Sequence, residues 1–332
     1  MISKHKDLAI VFVRAISMLI IVIYHYSCSL VQDHITNKHL PLYGYASGRW
    51  GQSAVYTFLI ISGYVLFMNY ASHFSFKKYY YRRFRSIYPS FWLVWLAVFI
   101  IRSKQNQTIF WGGNPIYILF SIIGIDGYFL PSGIGYYSVG EWFLGVIILI
   151  YILFPVFLTL WKNHRSVVYM IISAIFILQI ICDLGRTDFF VCTASFLAGI
   201  WFYKHRNFLL SKWTSFISFG IILVLCNIDF RSYFGDNFPI VFMGFILFIF
   251  LYSFGYFVMK FNFPFISFLA KYSYQAMLVH HVLTFWIIRF CGMFRISVYI
   301  GLIFELLATY IGAFIVKKSE KYIFSFLPDQ LK

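Results

Sequence analysis

The chain reads as an all-α polytopic membrane protein, a bundle of about ten transmembrane helices with N-terminus and C-terminus both cytosolic. Three observations lead there. Of the 332 residues 61% are hydrophobic and 11% charged, apolar runs recur from end to end, and the basic residues fall mostly on alternate sides of those runs. A helix satisfies its own backbone groups, so a run of about 17 to 25 apolar residues can cross hydrocarbon unaided.

The runs lie near 8–30, 52–70, 87–102, 141–161, 166–183, 187–203, 212–229, 237–259, 271–290 and 294–316. The first, DLAIVFVRAISMLIIVIYHYS, has no small-residue cleavage site and carries Arg14 in its core, so it is a span and not a cleavable signal. The second, FLIISGYVLF, is interrupted by Ser62 and Gly63, which permit close helix approach or expose a hydroxyl. The third is entered through KKYYYRRFRSIYP, expected as an inner loop at the mouth of the helix. Between the third and fourth, 103–140 holds an apolar stretch too short to span and bounded by Gly and Pro, expected as an interfacial or re-entrant cap. The fourth opens on GEWFLGVIILIYILFP, the ninth contains YSYQAMLVHH, and the tenth carries Glu305 mid-span.

Translocation leaves Lys and Arg preferentially on the cytosolic side. With ten spans and the N-terminus inside, 18 basic residues lie inside and 8 outside, with Arg14 within the membrane. The formal charge of +16 follows from topology and attraction to anionic headgroups, and requires no nucleic acid. The five cysteines show no metal-ligand spacing. Cys182 and Cys192 bracket one short outer loop, where they could pair in an oxidising compartment or serve as small hydrophobes. The whole of 1–332 reads as one membrane domain with short tails and no appended soluble domain.

Arg14 and His25 are the most informative residues, because an ionisable group inside a span is costly and marks function by default. Eleven positions apart, they project from one face about 16 Å apart along the axis. With entry near Leu8, the arginine lies nearer the cytosol and the histidine nearer the outer surface. Arg82, Arg83 and Arg85 form a guanidinium cluster able to grip phosphates, or an ordinary positive-inside segment on lipid headgroups. Glu141, near the level of His25, could orient an imidazole or serve as a helix N-terminal acid. Glu305 could neutralise Arg14 or be protonated and hydrogen-bonded. His280 and His281 face either the bundle interior or a wet cavity. Ser62, His280 and Glu305 complete the candidate substrate-binding set.

Arg14 with His25, the SGY of the second span, RRFRSIYP, EWFLGVIILIYILFP and KYSYQAMLVHH together resemble the acyltransferase-3 family of bacterial membrane acyltransferases, from about 8 to 290. The resemblance implies a ten-helix bundle in the bacterial cytoplasmic membrane. It would move an acyl group, most often acetyl from acetyl-CoA, to a hydroxyl of an extracytoplasmic sugar in O-antigen, capsule or another surface polysaccharide. Acyl-CoA is then a donor substrate and there is no resident cofactor or metal. The partners are the polysaccharide acceptor and membrane lipids. Carried over by position, Arg14 and His25 match the family's essential pair, and Arg82 and Arg85 its basic motif. His25 would be the general base, and the arginines would hold the donor's phosphates.

Two positions depart from the pattern. The glutamate that many members carry further along the fourth span is Ile147 here, and the aspartate often found three before the arginine is Val11. Glu141 is therefore a candidate from its own position alone. Direct attack of an alkoxide on the thioester and an acyl-histidine relay both remain open. A transporter or flippase for a lipid-linked glycan is the rival reading, opposed by the lack of an inverted repeat. A polymerase or ligase on lipid-linked sugars would call for larger outer loops.

Overall fold

The computed structural model describes residues 7–37, 39–130, 135–136, 139, 141–185, 187–261 and 263–323; the side chain of Glu141 lies outside that set. Ten long helices follow the ten apolar runs. They are α1 (Leu8–Gln32), α2 (Trp50–Tyr70), α3 (Phe76–Gln105), α6 (Glu141–Asn163), α7 (Arg165–Cys182), α8 (Phe189–Lys204), α9 (Lys212–Asn227), α11 (Phe238–Val258), α12 (Pro264–Met293) and α13 (Val298–Ile323). Three short helices, α4 (Tyr117–Ile123), α5 (Asp126–Phe129) and α10 (Arg231–Phe234), lie in connections. A hairpin of β1 (Gly44–Tyr45) and β2 (Gly48–Arg49) joins α1 to α2. Eight of the helices are long and apolar enough to cross a membrane, and α8 and α9 are shorter, at 16 residues each.

The third helix differs from expectation at its start. Lys77 to Arg85 form its first turns and not a loop, because Lys, Arg and Tyr extend a helix readily once the apolar stretch behind them nucleates it. Hydropathy marks only the apolar part of such a helix.

The chain divides into two compact units, 1–71 with 160–273 and 72–159 with 274–332. In the first unit α1, α2, α8 and α11 pack together, with α7 against α8 and α9 against α11. The closest approach is between α2 and α8. A Cβ on Gly63 would fall 1.8 Å from the carbonyl oxygen of Phe196, and one on Gly199 would fall 2.1 Å from that of Ile60. These glycines let two backbones touch, which is how membrane helices associate where burial supplies no driving force. Packing therefore accounts for Gly63 in the SGY stretch. The next residue, Tyr64, donates its hydroxyl to Asp7 Oδ2 at 2.7 Å, and Tyr252 of α11 donates to the same oxygen at 2.8 Å. Asp7 Oδ1 meanwhile accepts from the amides of Ala9 and Ile10, so one carboxylate caps α1 and ties three helices together.

In the second unit α13 packs on α3. Pro155 has no N–H to offer within α6, which leaves the carbonyl of Tyr151 open, and the Tyr79 hydroxyl of α3 takes it at 2.8 Å. Tyr80 does the same for Ile152 at 2.8 Å. Ser90 donates to the Glu320 carboxylate, and Gln275 donates to Ser90 at 2.9 Å, which fixes α12 and α13 on α3. The connection after α3 is re-entrant. Trp92 and Tyr88 of α3 donate to the carbonyls of Ile122 and Ile123 at 2.9 and 3.1 Å. Gly124, in the left-handed region at φ 82°, turns beside Phe91. Phe91 lies about 21 Å along the axis from Gln105, at 1.5 Å per residue, so this turn reaches well below the helix end. Cys182 is exposed and Cys192 buried, and the two form no disulfide with each other.

Candidate functional site

Arg14 and His25 stand on α1, both half-buried, with α2 and α11 beside that helix. The register of α1 is set at one end by the Asp7 cap and along its length by buried Thr57 of α2, which donates to Ser17 at 2.6 Å. Eleven positions apart, with a 100° advance per residue, the two side chains differ by about 20° around the axis. A cation and an imidazole on one stripe of a buried helix can serve the two ends of one reaction path.

The end of α1 that carries His25 is built from aromatic rings. Tyr24 meets His25 edge-on with centroids 5.0 Å apart and also stacks on Tyr43 at 5.3 Å and 14°. His39 stacks on Tyr43 at 3.5 Å, and the Arg49 guanidinium lies over Tyr43 at 5.2 Å. Arg49 also hydrogen-bonds the Tyr24 hydroxyl, and Gln52 Nε2 donates to it at 3.5 Å. Single-chain reasoning missed this group, since Arg49 lies outside the apolar runs and its neighbours look like ordinary loop aromatics. The nearest available signal was the Gly-Tyr-Ala-Ser-Gly-Arg stretch, a compact turn.

In the second unit Arg82, Arg83 and Arg85 are half-buried along the first turns of α3. The three-residue step from Arg82 to Arg85 places them on one helix face. Arg85 Nη1 donates to Tyr81 at 3.4 Å, while Arg83 lies over the Tyr151 ring at 5.6 Å with its Nε buried and without a hydrogen-bond partner. None of these three arginines forms an ion pair among the described residues.

His280 and His281 stack in α12 with centroids 4.2 Å apart. The Met277 carbonyl, 2.8 Å from His280 Nδ1, can only accept, so that nitrogen donates to it. Thr284 Oγ1 sits 2.8 Å from the His280 carbonyl and 2.9 Å from Glu305 Oε1. Thr309 donates to the same Oε1 at 3.0 Å, and Oε2 of this fully buried glutamate has no partner. Glu305 thus belongs to one hydrogen-bonded cluster with His280.

Ser62 is half-buried in α2 beside the α2–α8 contact. The backbone of Glu141 opens α6, but the expectation that its carboxylate orients His25 falls outside the described residues.

No curated protein and no solved structure matches the chain. A family model described as an acyltransferase domain, the acyltransferase-3 model, matches residues 7–317, a stretch that holds Arg14, His25, Arg82, Arg83, Arg85, His280 and Glu305. With a match over most of its length and eight helices long and apolar enough to cross a membrane, the chain belongs to the acyltransferase-3 family and is a membrane acyltransferase.

Proposed function

We propose that the protein is an O-acyltransferase that moves an acyl group, acetyl first, from cytosolic acyl-CoA to a hydroxyl of an extracytoplasmic cell-surface polysaccharide. The observation that carries this reading is Arg14 and His25 on one stripe of α1 in a chain of that family. The N-terminus lies in the cytosol of a bacterial inner membrane, so the stripe runs from the donor side to the acceptor side. Arg82, Arg83 and Arg85 bind the donor's phosphates, since a guanidinium fork offers paired charge-assisted hydrogen bonds. The buried, unpartnered Nε of Arg83 supports this, because such a donor costs free energy until an acceptor arrives.

His25 takes the proton of the acceptor hydroxyl as its oxygen attacks the thioester carbonyl. The oxyanion collapses, the carbon–sulfur bond breaks, and the coenzyme leaves as a thiolate that then takes up a proton. Tyr24 packs edge-on against the imidazole and restricts its rotation. Arg14 supplies positive charge within the membrane, where the low dielectric strengthens it. Within the second unit Glu305 and His280 form a buried polar cluster offered to substrate, and within the first Ser62 offers a hydroxyl.

The test supplies radiolabelled acetyl-CoA and the host's surface polysaccharide to membranes containing wild type, His25→Ala or Arg14→Ala at matched expression. Label is expected on the glycan with wild type only, and each variant should lose about 100-fold or more, the usual worth of a general base. Transfer that survives His25→Ala rules out the assigned base. No transfer from several acyl-CoA donors, with altered glycan export, would instead favour the flippase.

A further inference from the structure

The first unit holds a cavity of about 560 Å³ that the reaction above leaves unused. Its walls are the β1–β2 hairpin, Gln52 at the start of α2, and the segment from Arg231 to Ile240. The hairpin is fastened in place: Ser47 donates to the Ile228 carbonyl at 2.7 Å and accepts from the Phe230 amide at 2.9 Å, and the Ala46 amide reaches the Cys226 carbonyl at 3.1 Å. On the opposite wall Asp183 accepts from the Asn237 amide at 3.0 Å. The cavity is therefore built from anchored chain on both sides, and its volume falls in the range of small-ligand sites.

The lining mixes polar and apolar surface and is close to neutral. Arg231 forms a bidentate pair with Asp229, with nitrogen–oxygen distances of 2.5 to 3.0 Å. Those bonds hold the Asp229 carboxyl down to about 2, so the pair stays ionised across the working range. That leaves Arg49 and Asp236 as one positive and one negative group, with the amides of Gln52 and Asn237 between donor and acceptor roles. A fixed charge on a ligand gains little from such a set, whereas a ring of hydroxyls finds both donors and acceptors. Two ring contacts, Tyr43 to Tyr24 and Tyr24 to His25, lead from this wall to the imidazole.

We propose that this cavity is the acceptor subsite and that it takes an uncharged glycosyl residue, bound through Arg49, Asp236, Gln52 and Asn237. The assignment of the ligand as an acceptor rests on the acyl transfer proposed above; the sugar-binding cavity stands apart from it. A glycosyl residue held here presents a neighbouring hydroxyl to the His25 end of α1.

The test uses the purified full chain in lipid nanodiscs, with saturation-transfer NMR on a mixture of methyl glycosides: neutral hexoses, 6-deoxyhexoses and N-acetylhexosamines, with the matching uronates. At least one neutral glycoside should receive saturation, and the uronates none. Asp236→Ala and Arg49→Gln should each weaken that binding about tenfold, the worth of one charge-assisted hydrogen bond. In acyl-transfer assays the same variants should raise the acceptor KM about as much while the donor KM holds. Neutral binding that is unmoved by both substitutions, or a preference for the uronate, overturns the cavity assignment. Sugar binding that depends on Asp236 and Arg49 without any acyl transfer would leave the cavity standing and sink the transferase reading. Transfer with an unchanged acceptor KM would do the reverse.

Discussion

Asp126 shows how far one buried carboxyl can report on its surroundings. It sits at the start of α5 in the re-entrant connection, 4% exposed, accepting from Ser121 and from the Gly127 amide. Burial raises its carboxyl above the ordinary value, and the two hydrogen bonds pull it only part of the way back. The unfolded chain would release this proton near pH 4. The folded chain holds it longer, so this group adds nothing to the pH dependence below that point and destabilises the fold progressively as pH rises through its native value. Asp126→Asn keeps the shape without the charge. Its thermal stability relative to wild type is therefore expected to improve as pH rises from 4 to 8, measured by unfolding in detergent. A difference that is flat or falls over that range would show that the carboxyl is ionised in place. Asp7 is wired differently: its two carboxylate oxygens receive two amides and two hydroxyls.

Among the helices, the contact of α2 with α8 is the most demanding, because Gly63 and Gly199 each meet a backbone carbonyl that cannot turn aside. Gly63→Ala is expected to cost about 3 kcal/mol, at the upper end of overpacking, and to remove most folded protein. Ser62→Ala, one residue earlier, should fold like wild type; fluorescence-detected size exclusion separates the two. A folded Gly63→Ala would mean that the helices can slide apart at little cost. The element pattern is largely legible in the sequence, because a helix in hydrocarbon must be apolar along its whole length. The start of α3 is not, since its first turns carry Lys and Arg and look like loop. The hairpin is not either: two strands of two residues show no periodicity, and their anchors at Ser47 lie across the chain at Ile228 and Phe230. Arg14 and His25 stand out because an ionisable residue in an apolar run is conspicuous. Arg49, Gln52 and Asp236 are ordinary polar residues in ordinary connections, and only the fold gathers them around one cavity.

For the whole molecule, the orientation in the membrane decides which end of α1 meets the donor. The basic residues supply the argument: from the 18 to 8 bias we expect the first turns of α3 and the last turns of α13 in the cytosol, and the Cys182 end of α7 outside. Cys182 is an exposed free thiol, and Lys318 is exposed near the end of α13, so chemistry can report on both faces. An impermeant maleimide added to intact cells should label the wild type, and Cys182→Ser should remove most of that label. Lys318→Cys in the Cys182→Ser background should stay unlabelled until the membrane is opened. Labelling of position 318 from outside would place Arg82, Arg83 and Arg85 on the outer face as well, since Ser90 of α3 is bonded to Glu320 of α13. Cytosolic acyl-CoA could not then reach those arginines, and the donor would have to be sought among phosphate-bearing lipids on the other side.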